Sequence, residues 1–225
     1  MRTTDGTAGR LGRALWQRAL LTPLLRAGFG LDVRAEVDLA GLAAPCIFAA
    51  NHRSHLDTLA VLAALPAPLR ARTRIAAAED YWYRSALRRA AAAAINAFPF
   101  PRAGTAGLDR AAALLAAGGA VLLYPAGTRE PGREFKRGVG VLAARTGCPV
   151  VPIAILGTAA AWPKGRLLPR RGKVAVRFGA PLMATPGESP AALTARAAAE
   201  VARLSTAGIA GEVRPTPGIT SKRAA

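Results

Sequence analysis

The sequence predicts an α/β fold: a mixed, mostly parallel central sheet flanked by helices, with an amphipathic helical element at the N-terminus. Short apolar runs with the length and composition of buried strands alternate along the chain with leucine- and alanine-rich helical stretches. Glycine, proline and polar residues follow several of these runs, as is typical of strands that end in loops. Strands are expected at 33–37, 46–50, 74–78, 97–102, 120–124, 149–157 and 174–178.

The first 30 residues are expected to form a basic amphipathic segment. Within 10–30, leucines and Trp16 recur at roughly helical spacing between arginines, and Pro23 is expected to interrupt the helix. A basic amphipathic helix can lie flat on an anionic bilayer, or it can pack on the domain with its arginines in water. Both interpretations stay open from the residues alone.

One α/β domain is expected over residues 31–205. Its helices are indicated by apolar residues at helical spacing and by stop signals such as Gly118-Gly119. A tail at 206–225, rich in glycine, proline and charges, is expected to be disordered. The helices are expected at 57–65, 80–95, 108–117, 138–145 and 189–204.

The charge balance is strongly basic. The 225-residue chain has 31 Lys and Arg against 13 Asp and Glu, which gives a net charge of +18. This charge indicates an anionic partner: a phosphate-bearing substrate, an anionic lipid surface or a nucleic acid. The sequence lacks a basic strand studded with aromatic residues and a recognisable recognition helix, so no nucleic acid is expected.

The two cysteines, Cys46 and Cys148, both lie in apolar runs and are expected to be small buried side chains. Without a Cys-x-x-Cys spacing, no metal site is expected. Residues 1–10 are polar, so no signal peptide is expected. The uncharged runs 111–128 and 147–163 contain Gly-Gly or proline, and we expect them to be buried in the domain rather than to span a membrane.

A polar cluster at 51–57 follows the predicted strand 46–50. Open α/β sheets hold ligands at the carboxyl ends of their strands. His52 and Asp57 are five positions apart and can meet if the loop turns between them, so that the carboxylate fixes the imidazole tautomer and leaves the other nitrogen as a general base. Neither is a nucleophile, so the attacking hydroxyl would belong to the substrate. The structural alternative is a loop histidine with Asp57 as a helix N-cap.

A second loop, 125–129, follows the predicted strand 120–124. Gly127 lets the backbone approach a ligand closely, and the Thr128 hydroxyl and the loop N–H groups can donate to phosphate oxygens. The planar guanidinium of Arg129 can grip a phosphate. The loop therefore has the composition of a phosphate site.

The heptapeptide Asn51-His52-x-x-x-x-Asp57 resembles the signature of the glycerolipid acyltransferases. Three later segments resemble further motifs of that family in the same order: the strand that ends in Arg102, the loop 125–129, and the apolar strand that contains Pro152. The resemblance covers about residues 45–180. It implies that substrate is bound by Asn51, Arg102, Gly127, Thr128 and Arg129, with the arginines and the glycine loop holding the acceptor's phosphate.

The motifs depart from the family pattern at two places. Ala97, Pro99 and Pro101 replace the usual glycine and isoleucines before the arginine, and Ala126 replaces the usual glutamate of the glycine loop. The missing carboxylate leaves open whether the acceptor is lysophosphatidate or another lysolipid, such as a lyso-aminolipid or a different lysophospholipid.

The resemblance implies an O-acyltransferase of phospholipid biosynthesis, with His52 as general base and Asp57 as its partner. His55, two positions from Asp57, is the rival base. The acyl donor would be a thioester, acyl-CoA or acyl carrier protein, attacked without an acyl-enzyme and without a cofactor. The expected partners are a lysophospholipid acceptor and an anionic membrane surface, at the cytoplasmic face of the cell membrane in a peripheral or monotopic position. The alternative from another class is a non-catalytic basic protein that binds membrane or nucleic acid.

Overall fold

A computed structural model describes residues 7–163 and 165–206. In these residues seven strands form one sheet in the order β1-β7-β6-β2-β5-β3-β4. Neighbouring strands are parallel except β6 and β7, which are antiparallel. The predicted mixed, mostly parallel sheet is confirmed. The strands are β1 Asp32–Ala35, β2 Cys46–Ala50, β3 Thr73–Ala78, β4 Ala97–Phe100, β5 Ala120–Leu123, β6 Val150–Leu156 and β7 Ala175–Phe178.

Helices cover both faces of the sheet. Alternate residues of β2 point to opposite faces, so Phe48 packs with α2 and α3, whereas Ile47 packs with α7, α8 and α10. The central strands are buried on both sides and are therefore apolar throughout. The helices are α1 Thr7–Trp16, α2 Thr22–Phe29, α3 Leu56–Ala64, α4 Ala67–Arg72, α5 Glu79–Trp82, α6 Ala86–Ala94, α7 Ala106–Ala116, α8 Gly138–Thr146, α9 Thr158–Ala161 and α10 Pro190–Thr206.

The prediction that Pro23 interrupts the N-terminal helix is wrong. A π-helical turn, Gln17–Leu21, joins α1 to α2, and its end directs the backbone N–H of Thr22 to the carbonyl of Gln17. Pro23 then lies in the first turn of α2, where its missing N–H leaves no hydrogen bond unmade. The helical element is continuous, and its inner side chains Leu21, Leu25 and Phe29 are buried against the domain.

The predicted helix 80–95 is divided in the structure. The chain leaves helical geometry at 83–85, and Ser85 begins α6 as its N-cap, because its hydroxyl accepts a hydrogen bond from the backbone N–H of Arg88 at 3.3 Å. Helices α4 and α9 were not predicted, because they are too short for a helical period to be recognised.

No helix in the described part of the chain is long and apolar enough to cross a bilayer. Cys46 and Cys148 are buried and unpaired, and burial raises the pKa of Cys46 to about 12. Lys164 and most of the tail predicted at 206–225, from residue 207 onward, lie outside the described residues. The tail and the domain boundaries 1–30 and 31–205 stay predictions.

Candidate active site

Three loops meet at one edge of the sheet because β2 lies between β5 and β6 and all three strands are parallel. The loop that follows β2 is anchored by Asn51. Its side-chain amide donates to the carbonyl of Ile155 at 2.8 Å, and the N–H of Ile155 donates back to its Oδ1 at 2.7 Å. Asn51 was predicted to bind substrate. In the structure both ends of its amide are bonded to the backbone of β6, so that it positions the loop.

His52 and Asp57 are in contact, with 2.7 Å between the imidazole Nδ1 and the carboxylate Oδ2. The same Oδ2 accepts the backbone N–H groups of Arg53 at 2.6 Å and Ser54 at 2.8 Å. Asp57 is only 1% exposed and lies in the first turn of α3, where the helix dipole favours a negative charge. The N-cap position belongs to His55, so the alternative in which Asp57 is the cap is wrong.

The second nitrogen of His52 faces outward. The side chain is 18% exposed, and no residue within the described ranges forms a hydrogen bond with Nε2. Contact with Asp57 assigns the proton of the neutral ring to Nδ1 and leaves a lone pair on Nε2. With this geometry, His52 can act as a general base: a substrate hydroxyl can reach Nε2 from the solvent and give its proton to it.

Tyr124, at the end of β5, supports the imidazole from its face. The two rings are stacked with centroids 4.1 Å apart and planes 22° apart. The phenol oxygen is 2.8 Å from Thr58 Oγ1, and burial, together with the charge of Asp57, raises the pKa of Tyr124 well above its ordinary value. Tyr124 was not among the predicted site residues, although its place at a strand end next to the glycine loop could have indicated it.

His55, the rival base, has a different environment. Its ring lies among Tyr81, Trp82 and Trp162 at centroid distances of 6.0, 5.7 and 6.4 Å. It forms no hydrogen bond with the described residues, and burial, followed by the positive charge of Arg129, lowers its pKa to about 4. A neutral histidine of such low basicity, without a carboxylate on its ring, is a poorer base than His52.

Arg102 joins the loop after β4 to the glycine loop. Its Nε donates to both carboxylate oxygens of Asp80 at 3.0 Å, and its Nη1 donates to the carbonyl of Gly127 at 3.2 Å. The residue is exposed at an open depression of about 490 Å³ lined by Glu79, Asp80 and Ala103 among others. The structure therefore brings Arg102 and Gly127 together, as predicted.

The glycine loop has a positive charge above it. Gly127 adopts φ = +68°, and a Cβ at this position would lie 3.4 Å from the Nζ of Lys136, so the ammonium group packs against the glycine. Thr128 and Lys136 both line a second depression, of about 550 Å³. Thr128 Oγ1 accepts the N–H of Glu130 at 3.3 Å, which leaves its hydroxyl hydrogen free to donate to a ligand. Lys136 is a cation at this loop that was not among the predicted site residues.

Arg129 is half-buried and has neither a hydrogen bond nor an ion pair with the residues that the structure describes. Its positive charge contributes to the lowered pKa of His55. A partly buried guanidinium without a carboxylate is suited to an incoming anion. The residues predicted to bind phosphate thus lie at the same edge of the sheet as His52, and Arg102 and Lys136 meet at Gly127.

The sequence matches the model of a known protein family. The model of the acyltransferase family matches residues 32–156, more than half of the chain. This range includes His52, Asp57, Arg102 and the glycine loop.

Two plant proteins and one solved structure are similar. The chloroplastic 1-acyl-sn-glycerol-3-phosphate acyltransferase BAT2 of Brassica napus is 30% identical over 156 residues, which is 67% of this chain and 43% of the relative. The corresponding chloroplastic enzyme LPAT1 of Arabidopsis thaliana is 43% identical over 68 residues, 29% of this chain and 19% of that protein. The chain thus spans less than half the length of these relatives.

The crystal structure of the 1-acyl-sn-glycerophosphate acyltransferase PlsC from Thermotoga maritima superposes with a TM-score of 0.70 at 24% identity. The match covers 91% of this chain and 81% of that one, and it shows that the two share a fold. The family match over most of the sheet agrees with the resemblance of the four motifs, and the chain belongs to the acyltransferase family.

Proposed function

We propose that this protein transfers a fatty acyl group from a thioester to the free hydroxyl of a lysophospholipid such as 1-acylglycerol-3-phosphate, in phospholipid biosynthesis. The observation that carries the proposal is the 2.7 Å contact between His52 Nδ1 and Asp57 Oδ2, which leaves Nε2 open at the surface. The names of the plant relatives, which are 1-acylglycerol-3-phosphate acyltransferases, support the acceptor class.

In the proposed mechanism, Nε2 of His52 takes the proton from the acceptor hydroxyl while the oxygen attacks the thioester carbonyl carbon. The carbon–oxygen bond forms, and the tetrahedral intermediate collapses with cleavage of the carbon–sulfur bond. The thiolate leaves and accepts this proton from the imidazolium, which Asp57 has stabilised. The ester and the free thiol are the products, and no residue of the protein is acylated.

The acceptor's phosphate is proposed to bind at the glycine loop. Arg102, Lys136 and Arg129 supply positive charge, and Thr128 supplies a hydroxyl donor. The N–H of Gly127 donates to the carbonyl of Tyr124, so the part of Gly127 is to let the ligand approach the backbone closely. Anchoring the phosphate fixes the distance of the hydroxyl from His52, and such positioning contributes several kcal/mol of a rate enhancement. The donor is acyl-CoA or acyl carrier protein.

A different lysophospholipid is the second candidate acceptor. Ala126 lines the depression beside Gly127 and Thr128, where the family's usual residue is glutamate, so this position brings no carboxylate to the loop. The test is a panel of lysophospholipids assayed with wild-type protein and with Ala126→Glu. Greater use of lysophosphatidate by the variant would support a changed acceptor, and an unchanged preference would reject it.

We also propose that the protein binds an anionic membrane surface, peripherally or monotopically, at the cytoplasmic face. The outer side of the N-terminal helical element exposes four leucines among arginines, which is typical of helices that lie in a bilayer interface. The exposed leucines are Leu11, Leu15, Leu20 and Leu24.

Substitution of the two histidines tests the catalytic proposal. His52→Ala is expected to lower thiol release from the thioester about a thousandfold, because the general base is lost. His55→Ala, the matched control in the same loop, is expected to lose less than about tenfold. Turnover by His52→Ala near the wild-type rate, or a larger loss for His55→Ala, would contradict the assignment. Wild-type protein that consumes no thioester but binds random DNA in a salt-sensitive manner would favour the non-catalytic alternative.

A further inference from the structure

A buried arginine lies beneath the N-terminal helical element, away from the site described above. Arg70 of α4 is 8% exposed, and its Nη1 donates to Thr22 Oγ1 at 2.7 Å. The Thr22 hydroxyl donates in turn to the carbonyl of Gln17 at 2.9 Å. The other guanidinium N–H groups of Arg70 have no partner in the described part of the chain. One hydrogen bond therefore holds the guanidinium in place, and its other N–H groups can donate to a ligand.

Two more arginines flank the same threonine. Arg18 lies four residues before Thr22 and Arg26 four residues after it, and both are exposed. Burial, then the charges of Arg18 and Arg26, lower the pKa of Arg70, so each of the two exposed arginines lies close enough to repel the Arg70 guanidinium. None of the three forms an ion pair with a carboxylate among the described residues.

Within the described residues, no carboxylate serves as a counterion for these arginines. Like charges that lie close together repel one another, and a guanidinium in a largely buried side chain is less stable when no anion pairs with it. A phosphate group offsets both costs, because its oxygens accept the paired N–H donors of guanidinium groups and its charge neutralises them. The chemistry of the ligand is thereby specified.

We propose that Arg18, Arg26 and Arg70 form a binding site for the phosphate group of an anionic phospholipid. Leu20 and Leu24, 66% and 60% exposed, lie on the outer side of the same helical element, whereas Thr22 faces Arg70 on α4. When the leucines enter the acyl layer of a bilayer, the flank that carries the arginines lies at the level of the headgroups. A lipid is therefore a better source of the phosphate than a free ion.

The site is separate from the proposed acyl-transfer site. Arg70 precedes the amino end of β3, which begins at Thr73, whereas His52 follows the carboxyl end of β2. Because β2 and β3 are both parallel to β5, the two sites lie at opposite edges of the sheet. A phospholipid bound at the arginines is thus a membrane anchor and not the acceptor, and this inference holds whether or not the protein transfers acyl groups.

Vesicle sedimentation tests the proposal. Binding is compared on vesicles of phosphatidylcholine alone and of phosphatidylcholine with phosphatidate. The variants are Arg70→Gln, the double variant Arg18→Gln/Arg26→Gln, and a control, Arg145→Gln/Arg196→Gln, with the same loss of charge on α8 and α10 of the opposite layer. Each cation near an anionic surface contributes about 1 kcal/mol, which is about fivefold in affinity. We expect about a 25-fold loss for the double variant, at least about fivefold for Arg70→Gln, and less than about twofold for the control.

Three results would overturn the proposal. A control that loses as much as the double variant would show that net charge alone decides binding. Wild-type affinity of Arg70→Gln would show that the buried guanidinium takes no part. If inorganic phosphate raises the melting temperature of wild type at matched ionic strength while no variant changes vesicle binding, the ligand is a free ion and not a lipid. Should Arg70→Gln fail to fold, the double variant, which changes exposed residues only, decides.

Discussion

The ring of Tyr124 lies against the imidazole of His52, 4.1 Å away between centroids, and its hydroxyl is hydrogen-bonded to Thr58 on α3. Asp57, the neighbour of Thr58 on the same helix, holds the edge of the same imidazole. One helical turn therefore supports the ring from two directions, and β5 is tied to the loop after β2 through this contact.

Removal of the Tyr124 ring is expected to impair catalysis through the position of His52. Tyr124→Ala is expected to lower kcat about 10- to 100-fold, because a displaced base is costly, and to leave the KM of the acceptor little changed. Tyr124→Phe keeps the stacking and loses one hydrogen bond, so we expect about 1 kcal/mol of lost stability and a kcat near wild type. Steady-state thiol release and urea unfolding measure the two effects. Equal losses of kcat in both variants would show that the hydroxyl, not the ring, is required.

Neutralisation of the buried carboxylate is expected to be nearly as damaging as loss of the base. Asp57→Asn is expected to lower kcat about 10²- to 10³-fold, because a neutral amide cannot stabilise an imidazolium. If the amide oxygen keeps the place of Oδ2, the new Nδ2 takes the place of Oδ1, which is buried and has no hydrogen-bond partner among the described residues. The protein is therefore expected to lose about 1–3 kcal/mol of stability. Asp109→Asn, the same change at an exposed ion pair with Arg145, is the control for both assays. A kcat of Asp57→Asn within about tenfold of wild type would contradict this assignment.

The forked contacts of Arg102 predict that lysine cannot replace it. One guanidinium reaches Asp80 and the carbonyl of Gly127 at once, whereas an ammonium is a point charge on a flexible stem. Arg102→Lys is expected to raise the KM of a phosphate-bearing acceptor about tenfold or more, with a smaller effect on kcat. The same variant is assayed with monoacylglycerol, which lacks the phosphate. If KM rises equally for both acceptors, Arg102 does not bind the phosphate.

The half-buried His55 predicts a pH dependence of stability. Its pKa is about 4 in the folded protein and near 6.5 when unfolded, so between these values the unfolded chain binds more protons. The stability that this residue contributes is complete above about pH 6.5 and is lost as the pH falls toward 4. The charged groups that act on it are Arg129, His52 and Asp57. With a discount for partial exposure, we expect wild type to lose about 1–2 kcal/mol more than His55→Phe between pH 7 and 4.5.

Urea unfolding of both proteins at the two pH values measures the difference. Phe178→Leu, a control that changes a buried ring on β7, is expected to keep the wild-type pH dependence. His55→Phe would also keep it if His55 did not titrate in this range.

The strands at the centre of the sheet were predictable from sequence because both of their faces are buried. β2, β5 and β6 contain almost no polar residue, so each is a continuous apolar run. The short helices α4 and α9 were not predictable, because four to six residues hold too little of a helical period. The break between α5 and α6 depends on one serine cap within an otherwise helical stretch.

The contact of His52 with Asp57 was predictable for another reason. Five residues that turn into a helix allow few geometries, so the pairing depends on local chain conformation. Lys136 beside Gly127 and Tyr124 on His52 were not predicted, because each contact depends on how separate loops fold over one another.

The sequence by itself determined which residues form the central strands and which histidine meets a carboxylate. Both follow from local pattern: continuous apolar runs predict strands that are buried on both faces, and the short spacing of His52 and Asp57 limits their geometry. Only the tertiary structure decided that Asn51 pairs with Ile155, 104 residues away, and that Arg70 donates to Thr22, which lies between Arg18 and Arg26. The physical reason is that strand order and helix docking follow from the burial of whole apolar faces, to which every segment of the chain contributes at once.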